Sequence, residues 1–224
     1  MKDKHTLFPF IIGILAFVCF LLVVLIFAVN TVQPPWGPIL ILLIPSLVFC
    51  VIGFLAWKGI LSYKKTTVLT IILTIVFLVL SAFYVITLMF LSAGATTETK
   101  YYERAYHQIV NNEYVKDCFP ASIPEDARNV SFYYTPQFLQ GGEEFRLSYI
   151  TTEEKISEWT ALLNDAAEWI GSDGEWHQIN HWGFSDSDSI RYHLYWDGGY
   201  NHGKECYVLV DSPTCKIEFI YEHW

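Results

Sequence analysis

Three stretches of this chain carry no charged residue over the length that a bilayer crossing needs: Leu7–Val29 (23 residues), Pro38–Trp57 (20) and Thr66–Ala93 (28). A helix of roughly 20 apolar residues spans the hydrocarbon, and inside lipid the backbone satisfies its polar groups only through its own hydrogen-bond ladder. The runs therefore predict three transmembrane helices, at about 7–29, 38–57 and 66–93, within a membrane region 1–95. Residues 96–224 mix polar and apolar positions and have the length of one soluble domain. The hydrophobic fraction of 53% averages these two unlike regions.

Lysines orient the spans. Lys2 and Lys4 precede the first, Lys58, Lys64 and Lys65 lie between the second and third, and the loop Asn30–Gly37 is uncharged. Basic loops stay cytoplasmic, which predicts a cytoplasmic N-terminus and an extracytoplasmic C-terminal domain at the cell membrane. Trp36, Trp57 and Tyr63 fall near the expected interfaces, where amphipathic rings prefer to sit. The first run is too long for a cleaved signal peptide, and no A-x-A pattern follows it. Phe17 and Val18 stand where a lipoprotein site before Cys19 would have small residues. All three spans are expected to be retained. Ionisable residues inside a membrane mark ion paths and proton relays. The runs hold none, so the helices read as an anchor and not as a transporter in themselves. Pro45 is expected to kink the second span, and Ser46, Ser81 and Thr87 are positioned to help helices associate.

Beyond residue 95 there are 9 Lys+Arg against 22 Asp+Glu, a net charge of −13. Such a surface repels nucleic acid and anionic headgroups and tolerates cations, cationic peptides and neutral glycans. Solubility alone also accounts for it. Cys118, Cys206 and Cys215 lie in this region, where a disulfide can form, and their odd number leaves at least one without an intramolecular partner. Cys206 and Cys215 flank a turn at Asp211–Thr214, but the hairpin offset sets Cys215 opposite Val210. A bond from Cys118 to either one, and three free buried thiols, are the two alternatives.

The domain reads as α+β. Thr96–Asn112 is helical, with Tyr102, Tyr106 and Ile109 on one stripe, and Pro120 and Pro124 close it off. Ser131–Thr135 is rich in β-formers, and Phe145, Leu147 and Tyr149 alternate with Arg146 and Ser148 as in a half-buried strand. Ile156, Trp159, Leu163, Ala166 and Ile170 recur at helical spacing behind a capping box Thr151-x-x-Glu154, with Gly171 as the stop. Strands are then expected at Glu175–Trp182, Ile190–Trp196, Lys204–Val210 and Cys215–Tyr221. An antiparallel sheet with the amphipathic helix packed on one face buries these stripes most simply.

One segment adds a resemblance. Phe119-Pro120-x-x-Ile123-Pro124-x-x-Ala127, then Phe132-x-Tyr134-x-Pro136 and Phe138-Leu139-Gln140-Gly141-Gly142, resembles uncharacterised bacterial membrane-anchored proteins over about thirty residues. The resemblance implies an extracytoplasmic domain without an assigned activity and a bacterial source, and it transfers no catalytic residue. A bacterial source would make the Asn129-Val130-Ser131 glycosylation pattern a coincidence.

Candidate chemistry centres on histidines. A hairpin of Glu175–Trp182 and Ile190–Trp196 around Gly183–Ser189 would set Ile179 opposite His193 and gather His177, His181, His193, Arg191 and Tyr195 on one face. Diagonal sheet neighbours lie roughly 7–8 Å apart, so these imidazoles could bridge a metal, and zinc is the cofactor that three such donors would take. Solvated histidines on an outer face are the plain alternative. His177-x-x-x-His181 has Gln178 where a metalloprotease motif needs its general-base Glu. Gly198-x-x-x-x-Gly203-Lys204 copies most of a P-loop, but Glu205 replaces the magnesium-holding hydroxyl and a strand follows, so no nucleotide is expected. Asp186 and Asp188 lack the further ligands of a calcium loop, and Gly183-x-Ser185 lacks the closing glycine of a nucleophile elbow. Of the six tryptophans beyond residue 95, most fall on core stripes. Trp182, Tyr200 and Trp224 remain as a candidate ligand surface.

Without a convergent catalytic set, the expectation is a non-catalytic membrane-anchored binding or accessory module at the cell envelope. It would meet the bilayer and a membrane-protein partner or envelope ligand. The alternatives are a metal-dependent surface hydrolase built on His177, His181 and His193, and an accessory subunit of a transporter complex.

Overall fold

The computed structural model describes residues 4–109, 116, 118–138, 142–180, 188–198 and 202–224. The chain forms two compact units, Met1–Ser92 and Ala93–Trp224.

In the first unit α1 is Lys4–Asn30 and α4 is Tyr63–Ser92. Between them lie α2 (Trp36–Ile39), a 3-10 turn (Leu40–Leu43) and α3 (Ile44–Trp57). Leu7–Asn30, Trp36–Trp57 and Tyr63–Ser92 are each long and apolar enough to cross a membrane. The second crossing is a helix interrupted by a 3-10 turn and not one kinked rod. Pro45 sits in the first turn of α3, where a missing N–H costs nothing. Small residues bring α1 and α3 together. A Cβ on Gly53 would lie 2.8 Å from the Phe10 ring, and the buried Ser46 hydroxyl donates to the Gly13 carbonyl at 3.0 Å. Phe20, Phe27, Ile39, Leu42 and Leu88 form the apolar cluster of this unit. Thr87 returns its hydroxyl to Phe83 of its own helix, so it makes no interhelical bond of the kind expected for it. The Tyr84 hydroxyl instead ties α4 to the Pro38 carbonyl.

The second unit is a six-stranded, wholly antiparallel sheet in the order β1-β2-β6-β5-β4-β3. The strands are β1 Arg128–Thr135, β2 Glu143–Ile150, β3 Trp169–Ser172, β4 Ile190–Asp197, β5 Lys204–Asp211 and β6 Lys216–His223. Helices α5 (Tyr102–Ile109) and α6 (Glu153–Ala166) supply Tyr102, Tyr106, Ile156 and Leu163 to the core. Strand alternation gives the sheet one continuous apolar face: Phe132 and Tyr134, then Phe145, Leu147 and Tyr149, then Ile217, Phe219 and Tyr221, then Cys206, Val208 and Val210, all buried. Phe119, Phe132 and Tyr134 of the Phe119–Pro136 segment belong to this core. The Phe119 ring lies 4.9 Å from Phe145 and 5.6 Å from Phe219.

The sheet and its packed helix agree with expectation, and five details do not. The helix expected from Thr96 starts only at Tyr102, and Thr96 instead forms a β-bridge with Tyr134. Thr152, not Thr151, caps α6, accepting from the Lys155 N–H at 3.3 Å. The helix stops at Ala166, and Ile170 and Gly171 belong to β3. Most consequential, the described part of the expected strand Glu175–Trp182 is helical: Asp173–Asn180 forms α7. A reciprocal cap starts it, with the Ser172 N–H donating to Glu175 Oε2 (3.0 Å) and the Glu175 N–H to Ser172 Oγ (3.2 Å). Cys215 lies in the β5–β6 turn, so Val210 pairs with Ile217.

Candidate functional site

The same alternation that gathers apolar residues on one face puts polar ones on the other. The register aligns Ser131, Tyr133 and Thr135 of β1 with Ser148, Arg146 and Glu144 of β2, and these with Glu218, Ile220 and Glu222 of β6. Leu209, Tyr207 and Glu205 of β5 follow, then Arg191 and His193 of β4.

Helix α7 packs over β3 and β4 on this face. Arg191, only 1% exposed, donates from one guanidinium nitrogen to Asp173 Oδ1 (3.0 Å) and from the other to Glu205 Oε2 (3.1 Å). Its Nε donates to His193 Nδ1 at 3.4 Å. The guanidinium carbon lies 3.4 Å from the centre of the Tyr207 ring and 5.0 Å from that of Trp176. A planar, weakly hydrated cation suits this sandwich as an ammonium would not. Trp176 in turn stacks on His193, with ring centres 4.1 Å apart. Burial governs the protonation here. It pushes the Glu205 carboxyl up to about 7 although Arg191 pulls the other way. Burial, reinforced by the Arg191 charge, holds His193 down at about 4. His193 is therefore neutral at neutral pH.

The β1–β2–β6 half carries a hollow of about 390 Å³ lined by Ser131, Tyr133, Glu144, Arg146, Ser148 and Glu218. Arg146 pairs with both Glu144 and Glu222, and 42% of its side chain stays exposed. Glu205 and Glu222 face each other across β5 and β6, so the two arginine clusters abut. The hollow thus offers hydroxyls, a phenol and carboxylates around a neutralised arginine, a set that suits a polyhydroxylated or amine-bearing ligand through hydrogen bonds.

The expected histidine hairpin does not form, because His177 is on α7 and not on a strand. The structure still brings two of its histidines into one network. His177 Nε2 lies 3.6 Å from Asp173 Oδ2, and Asp173 holds Arg191, which holds His193. The fixed guanidinium charge between these imidazoles disfavours a metal cation there. Among the described residues, no group of three or more His, Cys, Asp and Glu side chains is placed to hold a metal ion. His181 lies outside the described residues, as do Trp182 and Tyr200. Trp224 is described: it is 38% exposed, and its backbone N–H donates to the Gly203 carbonyl at 3.0 Å. Its indole packs over Gly203, where a Cβ would come within 2.2 Å of the ring.

Sequence reasoning placed Arg191 beside His193 but missed Asp173, Glu205, Arg146 and Glu222. Their alternation with buried neighbours was a usable signal, as was Ser172-x-x-Glu175 for the covering helix. No protein-family model, curated protein or solved structure matches the chain.

Proposed function

We propose that the protein is a membrane-anchored, non-catalytic binding module whose C-terminal domain stands on the extracytoplasmic side and takes an envelope ligand on the polar face of its sheet. The observation that carries this reading is the open half of that face. A folded sheet domain gains stability by covering its faces with apolar groups, yet the hollow between Ser131 and Glu218 is lined by hydroxyls and charges. The lysines between the second and third spans and the uncharged loop after the first support the outward placement of the domain. The acidity of the domain and the neutralised Arg146 favour a neutral or cationic, hydroxyl-rich ligand, such as a cell-wall glycan, over a phosphate-bearing one.

Co-sedimentation of the full-length protein in micelles with an insoluble cell-wall polymer tests the proposal. Wild type is expected to sediment with the polymer, and Tyr133→Ala with Glu218→Gln is expected to weaken this at least tenfold. Retention unchanged by both substitutions would remove the hollow as the binding face, and no sedimentation by wild type would remove the glycan as its ligand.

A further inference from the structure

Cys206 lies on the apolar face of β5 and is fully buried, and Cys118 is 5% exposed. The residue after Cys118, Phe119, is fixed over the middle of the sheet by its contacts with Phe145 of β2 and Phe219 of β6. Cys118 is thereby held above the neighbouring strand, and the two thiols share a hydrogen bond. Cys215 is set apart at the β5–β6 turn, its thiol directed to the Ser212 carbonyl at 3.7 Å.

We propose that Cys118 and Cys206 form an intramolecular disulfide in the native protein and that Cys215 stays a thiol. The inference rests on the extracytoplasmic placement above, since the cell interior keeps thiols reduced. In the reaction the two thiols release two protons and two electrons as the S–S bond forms. A thiol–disulfide oxidant of the envelope takes them up as its own disulfide becomes a dithiol. Burial pushes the Cys206 thiol well up, so the folded chain offers little thiolate for attack. The bond therefore forms while the Cys118 segment is still docking. It then fastens the loop ahead of β1 to a central strand, where reductants do not reach it.

Two readouts on the full chain separate this inference from the placement it rests on. Membranes are denatured in an alkylating reagent with and without prior reduction, and the peptides are weighed. A Leu162→Cys variant, at a site 64% exposed on α6, reports the side of the membrane through a membrane-impermeant maleimide on intact cells. The bond is expected to leave Cys19, Cys50 and Cys215 alkylated without reduction, with Cys118 and Cys206 joining only after it. Cys118→Ala is expected to free Cys206 for labelling. Labelling of all five native cysteines without reduction would overturn the disulfide, and labelling of Leu162→Cys from outside in the same cells would leave the placement standing. A linked Cys118–Cys206 peptide with Leu162→Cys labelled only after lysis would uphold the bond and overturn the placement.

Discussion

On β2, Phe145, Leu147 and Tyr149 are at most 1% exposed, while Arg146, between two of them in sequence, keeps 42% of its side chain in water. The contrast holds across the sheet. The apolar face packs by shape, ring against ring, and gains from every methylene removed from water. The polar face holds the fully buried Arg191 only by surrounding it with Asp173, Glu205, Tyr207 and Trp176. Such an arrangement seldom improves on an apolar core for stability, because desolvating the charges offsets their attraction. The first face is thus sufficient to make the fold. The second is the face proposed to take the ligand, and α7 divides it into a covered half and an open one.

The sharpest break to this comparison is on the apolar side. Phe145→Ala removes a ring in contact with Tyr102, Phe119, Phe132 and Tyr134. It is expected to cost about 4 kcal/mol in denaturant unfolding of the full chain in micelles. Arg191→Met strands two carboxylates under α7 and is expected to cost about 3 kcal/mol. Adding Asp173→Asn and Glu205→Leu is expected to restore most of that loss, since no unpaired charge remains. A triple variant as unstable as the single would mean that the cluster itself stabilises the fold.

The pH dependence is a finer probe. With Glu205 pushed up to about 7, the folded state holds a proton that the unfolded chain releases above the ordinary 4.5. Its contribution to stability is therefore present at low pH and falls as pH rises from 4.5 to 7. His193, held at about 4, stays neutral where the unfolded chain takes up a proton below 6.5, so its contribution is lost as pH falls from 6.5 to 4. The two slopes oppose each other between 4.5 and 6.5. His193→Gln is expected to leave stability falling with pH across that window, and Glu205→Gln to leave it rising, each by about 2 kcal/mol. Unfolding midpoints at three pH values check this, and slopes of the same sign in both variants would contradict it. The smallest effect belongs to the open half: Glu218→Gln is expected to shift stability by under about 0.5 kcal/mol while weakening binding to the polymer.

The three long apolar helices were legible because a charge-free run of this length has few other uses. The bounds found, such as Leu7–Asn30 against 7–29, differ by a residue or a few. Strands β4 to β6 were legible from alternation alone. The misreading of Glu175–Asn180 has a physical origin: α7 is only two turns long and contains Gly174, while Trp176 and Ile179 are strand-forming residues. It is held by its Ser172–Glu175 cap and by Trp176 stacked on His193, and the second of these is a tertiary contact. The polar face could be read strand by strand, but not assembled. Arg146 meets Glu222 only because β6 inserts beside β2, an order that period-2 patterning does not encode.

The most direct test of the polar face as the binding face is hydroxyl-radical footprinting of the full-length protein in membranes, with and without cell-wall polymer. The expected result is protection of Tyr133 in the hollow, with no change at Leu162 on the outer side of α6. Protection of Leu162 with Tyr133 unchanged would contradict the account and move the binding surface to the helical side of the domain.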